Sequence, residues 1–286
     1  MGRLARSGRE EGSAPPDEPR DRLTTLRLAV EYDGTAFCGF QWQPAVRTVA
    51  GTLEAALSKL FCEPVKVTGA GRTDTGVHAT GQVVSLSTTA PFPFDRLALA
   101  LNSLLPADLS VRECTIAGSD FSARFSAHER TYVYAVLNRR EPSALLANRA
   151  YHVWRDLDLE RMREAAQLLI GEHDFRSFCG MLPESGVTVR TVKRLVLSDY
   201  QNAIRIEIAA DGFLHHMVRT VVGTLVECGQ GRRDPASITG VINARDRAAA
   251  GHNAPPHGLY LAGVRYEDGY DSFAEPPLFR SPAKGT

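Results

Sequence analysis

Three features are missing from this sequence of 286 residues, and each absence narrows the kind of protein we expect. It contains no run of 18 apolar residues, so we expect no membrane-spanning segment. It shows no signal-peptide pattern of a basic start, an apolar centre and a small-residue cleavage site, which makes the cytoplasm the expected location. It carries no net charge, since 33 basic residues balance 33 acidic ones, and this balance neither supports nor excludes a nucleic-acid partner.

Cysteine is sparse and scattered. The five cysteines are odd in number and show no paired short spacing: Cys38, Cys62, Cys114, Cys179 and Cys228. This pattern argues against a disulfide framework and against a structural zinc site. We therefore expect small core residues at these positions, and no bound metal.

Apolar periodicity begins near residue 26. Residues 1–22 are rich in Gly, Ser, Pro, Arg and acidic residues, which is typical of a disordered tail. A second tail is expected at 271–286. A hydrophobic content of 43% supports a sizeable core between these tails.

The order of predicted elements repeats once along the chain. In the first half, residues 23–118, the patterns predict strands at 26–32, 64–70, 80–87 and 109–116, and helices at 48–60 and 93–105. In the second half, residues 119–270, they predict strands at 131–137, 187–197, 203–208 and 259–266, and helices at 157–170 and 213–227. This order predicts an α+β protein of two ferredoxin-like (βαββαβ) halves with antiparallel sheets, each with its helices on one face. The opposite faces would be free to merge or to bind a ligand.

The most informative segment is the glycine-rich stretch GAGRTDTGVH at 69–78. It connects two predicted strands, and its three glycines permit backbone conformations that other residues avoid. Such a turn can present Asp74 for chemistry, with Arg72 holding the carboxylate ionised in a partly dry cleft. A tight turn with a structural ion pair explains the residues equally well.

A second unusual segment is FLHHMVRTVVG at 213–223, where Arg219 interrupts a mostly apolar predicted helix. A buried guanidinium needs an anionic partner, so Arg219 reaches either Asp74 or a phosphate, unless it snorkels from a core helix to the solvent. His215 and His216 are adjacent and are predicted to point in different directions, which is not the spacing of a two-histidine metal site.

Two further segments carry candidate binding residues. Tyr132 and Tyr134 are two apart on a predicted strand and share a face, which suits stacking on a base or core packing. From the residues alone, packing is the preferred interpretation. The proline-rich stretch at 254–261 either forms a structural turn or lines a pocket.

Together these segments resemble the TruA family of tRNA pseudouridine synthases over residues 26–266. The resemblance rests on several short motifs in the same order: YDGT at 32–35, GRTDTGVH at 71–78, FSA at 125–127, HDF at 173–175, RTV at 190–192, MVR at 217–219, and APP with GL at 254–259. Several separate motifs in order are far less probable by chance than one.

The resemblance implies a pseudouridine synthase fold, a homodimer, and isomerisation of uridine in the anticodon stem-loop of tRNA, at positions 38 to 40, without a cofactor. Asp74 matches the catalytic aspartate, the expected nucleophile. Arg72 and Arg219 match the arginines that flank and orient it, and Tyr132 matches the tyrosine stacked on the uracil.

Two more matches concern substrate binding. Leu259 lies where the family has the apolar wall of its pocket. His78 is the last residue of the signature motif. We expect it to support the loop, and we include it among the expected substrate-binding residues.

Two other functions stay open at this point. One is a non-catalytic RNA-binding module or tRNA chaperone on the same scaffold, which loss of Asp74 would have indicated. The other is a hydrolase that uses Asp74 as nucleophile and needs a second acid nearby, for which the sequence offers no clear candidate.

Overall fold

The computed structural model describes residues 23–280, so the tail predicted at 1–22 lies outside the described residues. The first half contains β1 (Thr24–Tyr32), α1 (Val49–Phe61), β2 (Thr68–Gly69), β3 (His78–Thr88), α2 (Leu97–Asn102) and β4 (Leu109–Ile116). The second contains β5 (Ala127–Asn138), β6 (Tyr151–Val153), α3 (Leu159–Gln167), β7 (Gly171–Asp174), β8 (Val189–Tyr200), β9 (Ala203–Ala210), α4 (Met217–Gly229), α5 (Ile238–Ala244) and β10 (Leu259–Tyr266).

One mostly antiparallel sheet runs through both halves, in the order β4-β1-β3-β10-β5-β9-β8-β7. The short strand β2 pairs with β3, so the first half reads β4-β1-β3-β2 and the second reads β10-β5-β9-β8. Each half therefore places the four strands of a βαββαβ unit in the same relative order. The predicted α+β class is confirmed.

The halves meet edge to edge rather than face to face. β3 and β10 pair in parallel through Tyr260 opposite His78 and Leu261 opposite Ala79. This short ladder brings the turn before β3 beside the second half. The predicted division at residue 118 stays a prediction, because the strands on either side of it belong to one sheet.

Four predicted elements are shorter than expected. The helices predicted at 93–105 and 157–170 shrink to α2 and α3, and the other two elements shorten for identifiable reasons. The strand expected at 64–70 shrinks to β2, because Val65 and Val67 donate their backbone N–H groups to side chains of α1 instead of to a neighbouring strand. The helix expected from residue 213 begins only at Met217, because His216 has a left-handed backbone with φ of 62°. A helix cannot pass through that conformation.

The helices cover one face of the sheet, where α1 buries Leu53 and Leu57 completely. Thr48 caps this helix by accepting a hydrogen bond from the Gly51 backbone, as the sequence predicts. Of the cysteines, Cys179 and Cys228 are buried, whereas Cys62 is exposed at the end of α1. The expectation of core cysteines therefore fails for Cys62.

The last described residues pack on the opposite face of the sheet. Phe279 is buried there, and Ser272 donates a hydrogen bond to the Gly81 carbonyl. Residues 271–280 are thus packed against the sheet, and the predicted C-terminal tail at 271–286 stays a prediction, since 281–286 lie outside the described residues. Within 23–280, no helix is long and apolar enough to span a membrane.

Candidate active site

Asp74 occupies the first position of a tight turn between β2 and β3. The Val77 backbone N–H donates to the Asp74 carbonyl oxygen at 3.1 Å, and Gly76 at the third position has φ of 78°. A positive φ at that position defines a type II turn and favours glycine. The Asp74 side chain remains 28% exposed.

Neighbouring elements hold this turn from two sides. The Phe40 backbone N–H donates to the Thr73 carbonyl at 3.0 Å, and a Cβ on Gly39 would lie 2.8 Å from the same oxygen. Behind the turn, fully buried Gln82 donates to the Gly71 carbonyl at 2.7 Å and accepts from the Gly71 N–H at 3.3 Å. Sequence reasoning missed Gln82, although a polar residue in an apolar strand already indicates a buried hydrogen-bonding role.

Arg219 is the arginine that pairs with Asp74. From the first turn of α4, its Nη1 lies 3.1 Å from Asp74 Oδ2, and its Nε donates to the Ala254 carbonyl at 2.8 Å. The side chain is only 14% exposed. Of the partners left open by the sequence, the structure selects the carboxylate of Asp74.

Arg72 does not take the place expected for it. Its side chain is exposed, and within residues 23–280 it forms no ion pair with Asp74 or any other acid. The expected Arg72–Asp74 pair is therefore corrected to Arg219–Asp74. The physical reason is that a hydrated surface guanidinium gains little from an ion pair, whereas a half-buried one needs an anion.

His215 and His216 both approach Asp74, so the prediction that they point in different directions was wrong. Their rings stack with centroids 3.7 Å apart. His216 Nε2 lies 3.3 Å from Asp74 Oδ2, and His215 Nε2 lies 3.9 Å from Oδ1. The rule for successive helical residues fails because both histidines precede α4. The three side chains bring their ligand atoms within 4.8 Å of one another, a spacing that a metal ion can bridge.

The two tyrosines of β5 differ in role. Tyr134 is fully buried and donates to the Pro255 carbonyl at 2.7 Å, which is a packing role. Tyr132 is 7% exposed, and its ring packs edge-on against Phe213 with centroids 4.9 Å apart. Burial, with smaller contributions from Tyr32 and Asp74, raises the pKa of Tyr132 far above its ordinary value, so its hydroxyl keeps its proton.

His78 and Leu259 lie beneath the site. His78 is 1% exposed, and its Nδ1 accepts from the Gly34 N–H at 3.0 Å while its Nε2 faces the Asn148 carbonyl at 2.9 Å. Leu259 is 5% exposed in the core, opposite Tyr134 in the sheet. The hydrogen-bond partners of His78 lie outside the turn at Asp74, so its support of the loop and the substrate contacts of both buried residues stay predictions. Both lie at the central strands β3 and β10, which are covered on each side.

An open cleft of about 560 Å³ gives access to Asp74. It is lined by Cys38, Gly39, Phe40, Gln41, Gln43, Thr73, Asp74, Thr75, His215, His216, Arg219 and Pro256. A larger depression of about 670 Å³ beside α1 has neither an acid nor a histidine in its lining. The smaller cleft therefore holds the titratable cluster, and Pro256 shows that the proline-rich entry to β10 lines it.

Comparison with known proteins agrees with this geometry. The family model described as tRNA pseudouridine synthase matches residues 28–126 and 165–267, which is more than half of the chain. The chain belongs to the tRNA pseudouridine synthase family. The resemblance seen in the motifs is thereby confirmed, and the matched segments include Asp74, Arg219 and both histidines.

This synthase is similar along most of its length to bacterial proteins named tRNA pseudouridine synthase A. The protein of Caldicellulosiruptor bescii is 43% identical over 85% of this chain and 100% of its own. The protein of Halalkalibacterium halodurans is 46% identical over 83% of this chain and 90% of its own length. The protein of Bacillus subtilis is 42% identical over 85% of this chain and 99% of its own length. A solved structure, the archaeal box H/ACA complex Nop10-Cbf5, aligns with 70% of this chain and 44% of its own chain. The sequence identity is 10% and the TM-score is 0.33, so this similarity is too weak to support a conclusion about function.

Within the synthase, tertiary packing brings together only part of the set expected from the sequence. Asp74 and Arg219 are in contact, and Tyr132 lies close enough for the carboxylate to act on its pKa. Arg72 is exposed beside them, whereas His78 and Leu259 are buried. The two histidines are additional members of the site.

Proposed function

We propose that this synthase isomerises uridine to pseudouridine in the anticodon stem-loop of tRNA, at positions 38 to 40, with Asp74 as the nucleophile. The observation that carries the proposal is an aspartate in an open cleft, held by an arginine from the other half of the chain. A cleft of about 560 Å³ is in the range that admits a small ligand such as a nucleoside.

The reaction needs no oxidant or reductant. The bond from N1 to C1′ breaks, a bond from C5 to C1′ forms, the proton on C5 is lost and N1 gains one, so atoms and electrons balance. A carboxylate oxygen serves the first half of this sequence by attacking C1′, by attacking uracil C6, or by taking a sugar proton to form a glycal. All three routes begin at Asp74.

The neighbouring side chains have separate parts in this proposal. Arg219 orients the carboxylate through the contact at 3.1 Å. Tyr132 stacks on the uracil, and its hydroxyl, which burial keeps protonated, assists removal of the C5 proton as a relay that gives up its own proton as it takes that one. These assignments follow the family resemblance, and their support here is proximity to Asp74.

Exposed Arg72 contacts the RNA in this proposal. A uridine must leave its stack to enter the cleft, which costs a few kcal/mol, and arginine contacts to the RNA backbone offset that cost. Because the net charge of the chain is zero, we propose that the RNA groove includes a second copy of the chain, in a cytoplasmic homodimer.

The hydrolase alternative lacks its second acid. Glycoside hydrolysis needs two carboxyl groups across the cleft. Among the described residues that line the cleft, Asp74 is the only acid. Of the two alternatives, the non-catalytic RNA-binding module remains the one to test against.

The test is pseudouridine mapping by base-specific chemical labelling of unmodified tRNA transcripts, without added metal or cofactor. Wild type is compared with Asp74→Asn, and with Asp199→Asn as a matched control at an exposed aspartate of β8. We expect conversion at 38 to 40 by wild type and the control, and none by Asp74→Asn. If the wild type binds tRNA but converts no uridine, the interpretation as a non-catalytic RNA-binding module is correct and the proposed activity is wrong.

A further inference from the structure

The orientation of one amide side chain determines which atom of His216 carries a proton. Arg247 Nη2 lies 3.1 Å from Asn253 Oδ1, and Thr220 Oγ1 donates to the same atom at 2.6 Å. A guanidinium only donates hydrogen bonds, so the Asn253 atom that faces it must be the amide oxygen. The amide nitrogen of Asn253 therefore faces the other way, 3.2 Å from His216 Nδ1.

This contact settles the tautomer of His216. An amide NH₂ group only donates, so His216 Nδ1 must accept and carries no proton. The proton of the neutral ring is then on Nε2, which lies 3.3 Å from Asp74 Oδ2. His216 thus donates towards the same carboxylate oxygen that Arg219 Nη1 approaches at 3.1 Å.

The second carboxylate oxygen has no such donor. Within residues 23–280, Asp74 Oδ1 accepts no hydrogen bond, and His215 Nε2 lies 3.9 Å from it. Oδ2 accepts the hydrogen bond of Arg219 and faces His216 Nε2 at 3.3 Å, whereas Oδ1 is free to react with a ligand in the cleft.

The backbone of His216 provides an independent observation. It has φ of 62° and ψ of 4°, a left-handed conformation that histidine adopts at an energetic cost. His216 stands at the N-cap position of α4, yet its side chain makes no capping hydrogen bond. The ring is directed towards Asp74 and Asn253 instead, so the strained backbone serves the contact with the carboxylate.

We propose that His216, oriented by Asn253, is a positioning residue that holds Asp74 Oδ2 and leaves Oδ1 as the oxygen that reacts with the uridine. This assignment of roles rests on the proposed function, but the proton position on His216 does not. Arg247 and Thr220 belong to the same chain of contacts, because they set the orientation of Asn253.

The charges around His216 agree with a neutral ring. Burial is the main cause that lowers its pKa, His215, Arg219 and Arg247 act in the same direction, and Asp74 opposes them. A metal ion bridging Asp74 and both histidines would require a bare Nε2 on His216. The proton of the neutral ring would then be on Nδ1, where it would face the donating amide group of Asn253. Because two donors would face each other, this metal site is disfavoured.

The decisive variant is Asn253→Asp. The carboxylate has the same shape and still accepts from Arg247 and Thr220, but it cannot donate to His216. His216 Nδ1 then takes a proton. At high pH the neutral ring loses its donor towards Asp74, whereas at low pH the ring is a cation that still donates, and this difference displaces the pH profile. Asn243→Asp, the same change at an exposed position of α5, is the control.

The first readout is ¹⁵N NMR of protein labelled at its eight histidines, without tRNA, with the His216 signals assigned by their loss in His216→Gln. We expect the tautomer protonated on Nε2 in wild type and a ring protonated on Nδ1 in Asn253→Asp. A wild-type ring protonated on Nδ1, or signals displaced by added Zn²⁺ at the concentration of the protein, would overturn the proposal whether or not the protein is a synthase.

The second readout is single-turnover conversion of uridine in a tRNA transcript across pH. We expect Asn253→Asp to lower the maximal rate by about tenfold to a hundredfold, as for a hydrogen bond to a charged group, with tRNA affinity unchanged and the pH profile displaced. His216→Gln, whose amide can still donate to Oδ2, retains more activity than His216→Leu. A wild-type rate and pH profile in Asn253→Asp, or equal losses in the Gln and Leu variants, would refute the positioning role.

Discussion

Arg219 Nη1 lies 3.1 Å from Asp74 Oδ2, although 145 residues separate the two in the chain. Asp74 belongs to a turn of the first half, and Arg219 to a helix of the second. The pair therefore forms only when the two halves share one sheet through β3 and β10.

Arg219→Gln tests how much this ion pair contributes to the rate of uridine conversion. We expect the rate of uridine conversion to fall by about tenfold to a hundredfold, because a hydrogen bond to a charged group is lost. The measurement is single-turnover conversion in a tRNA transcript. Arg232→Gln, at an exposed arginine just after α4, should retain the wild-type rate, and an equal loss in both variants would show that general charge matters rather than the pair.

Tyr132→Phe and Tyr134→Phe should separate catalysis from stability. Tyr132→Phe should change the free energy of unfolding by less than about 0.5 kcal/mol but lower the conversion rate by about 10²-fold or more, if its hydroxyl serves in proton transfer. Tyr134→Phe loses the hydrogen bond to Pro255 and should cost about 1 kcal/mol of stability at an unchanged rate. Urea unfolding and single-turnover rates measure the two effects, and the reverse pattern would contradict these roles.

Arg72→Ala should act on RNA binding alone. The side chain is exposed, so we expect the free energy of unfolding to change by no more than about 0.5 kcal/mol. tRNA binding should weaken, and the slope of log K against log salt should fall by about 1 if Arg72 contacts a phosphate. Arg96→Ala, at another exposed arginine, is the control, and an unchanged salt slope in Arg72→Ala would argue against the phosphate contact.

His78 should make stability depend on pH. Burial lowers its pKa below the ordinary value of about 6.5, outweighing the opposite effect of Asp33, and Arg149 adds to the shift. Because the unfolded chain then binds the proton more readily, this neutral histidine stabilises the fold less as pH falls below about 6.5. The measurement is the free energy of unfolding of wild type and His78→Gln at about pH 7.5 and about pH 5.5.

We expect the stability difference between wild type and His78→Gln to be larger at the higher pH. Other histidines are present in both proteins, so their contributions cancel in this comparison. A constant difference for His78→Gln would mean that the ring is not held neutral in the folded protein.

The sequence by itself determined those structural features that depend only on residues close together in the chain. The Thr48 cap, the apolar stripe of α1 and the turn with Gly76 each reflect a local backbone requirement, and each occurs where the pattern predicted it. The short motifs in order, with the one around Asp74 among them, were sufficient to indicate the family, which the match over 28–126 and 165–267 confirms.

Only the tertiary structure decided which side chains meet. Arg72 is near Asp74 in the chain yet exposed, while Arg219 and His216 reach Asp74 from the far half. The left-handed backbone of His216 also redirected its ring against the helical expectation. Ion pairing and burial depend on which elements pack together, and the short β3–β10 ladder that sets this packing leaves no periodic signal in the sequence.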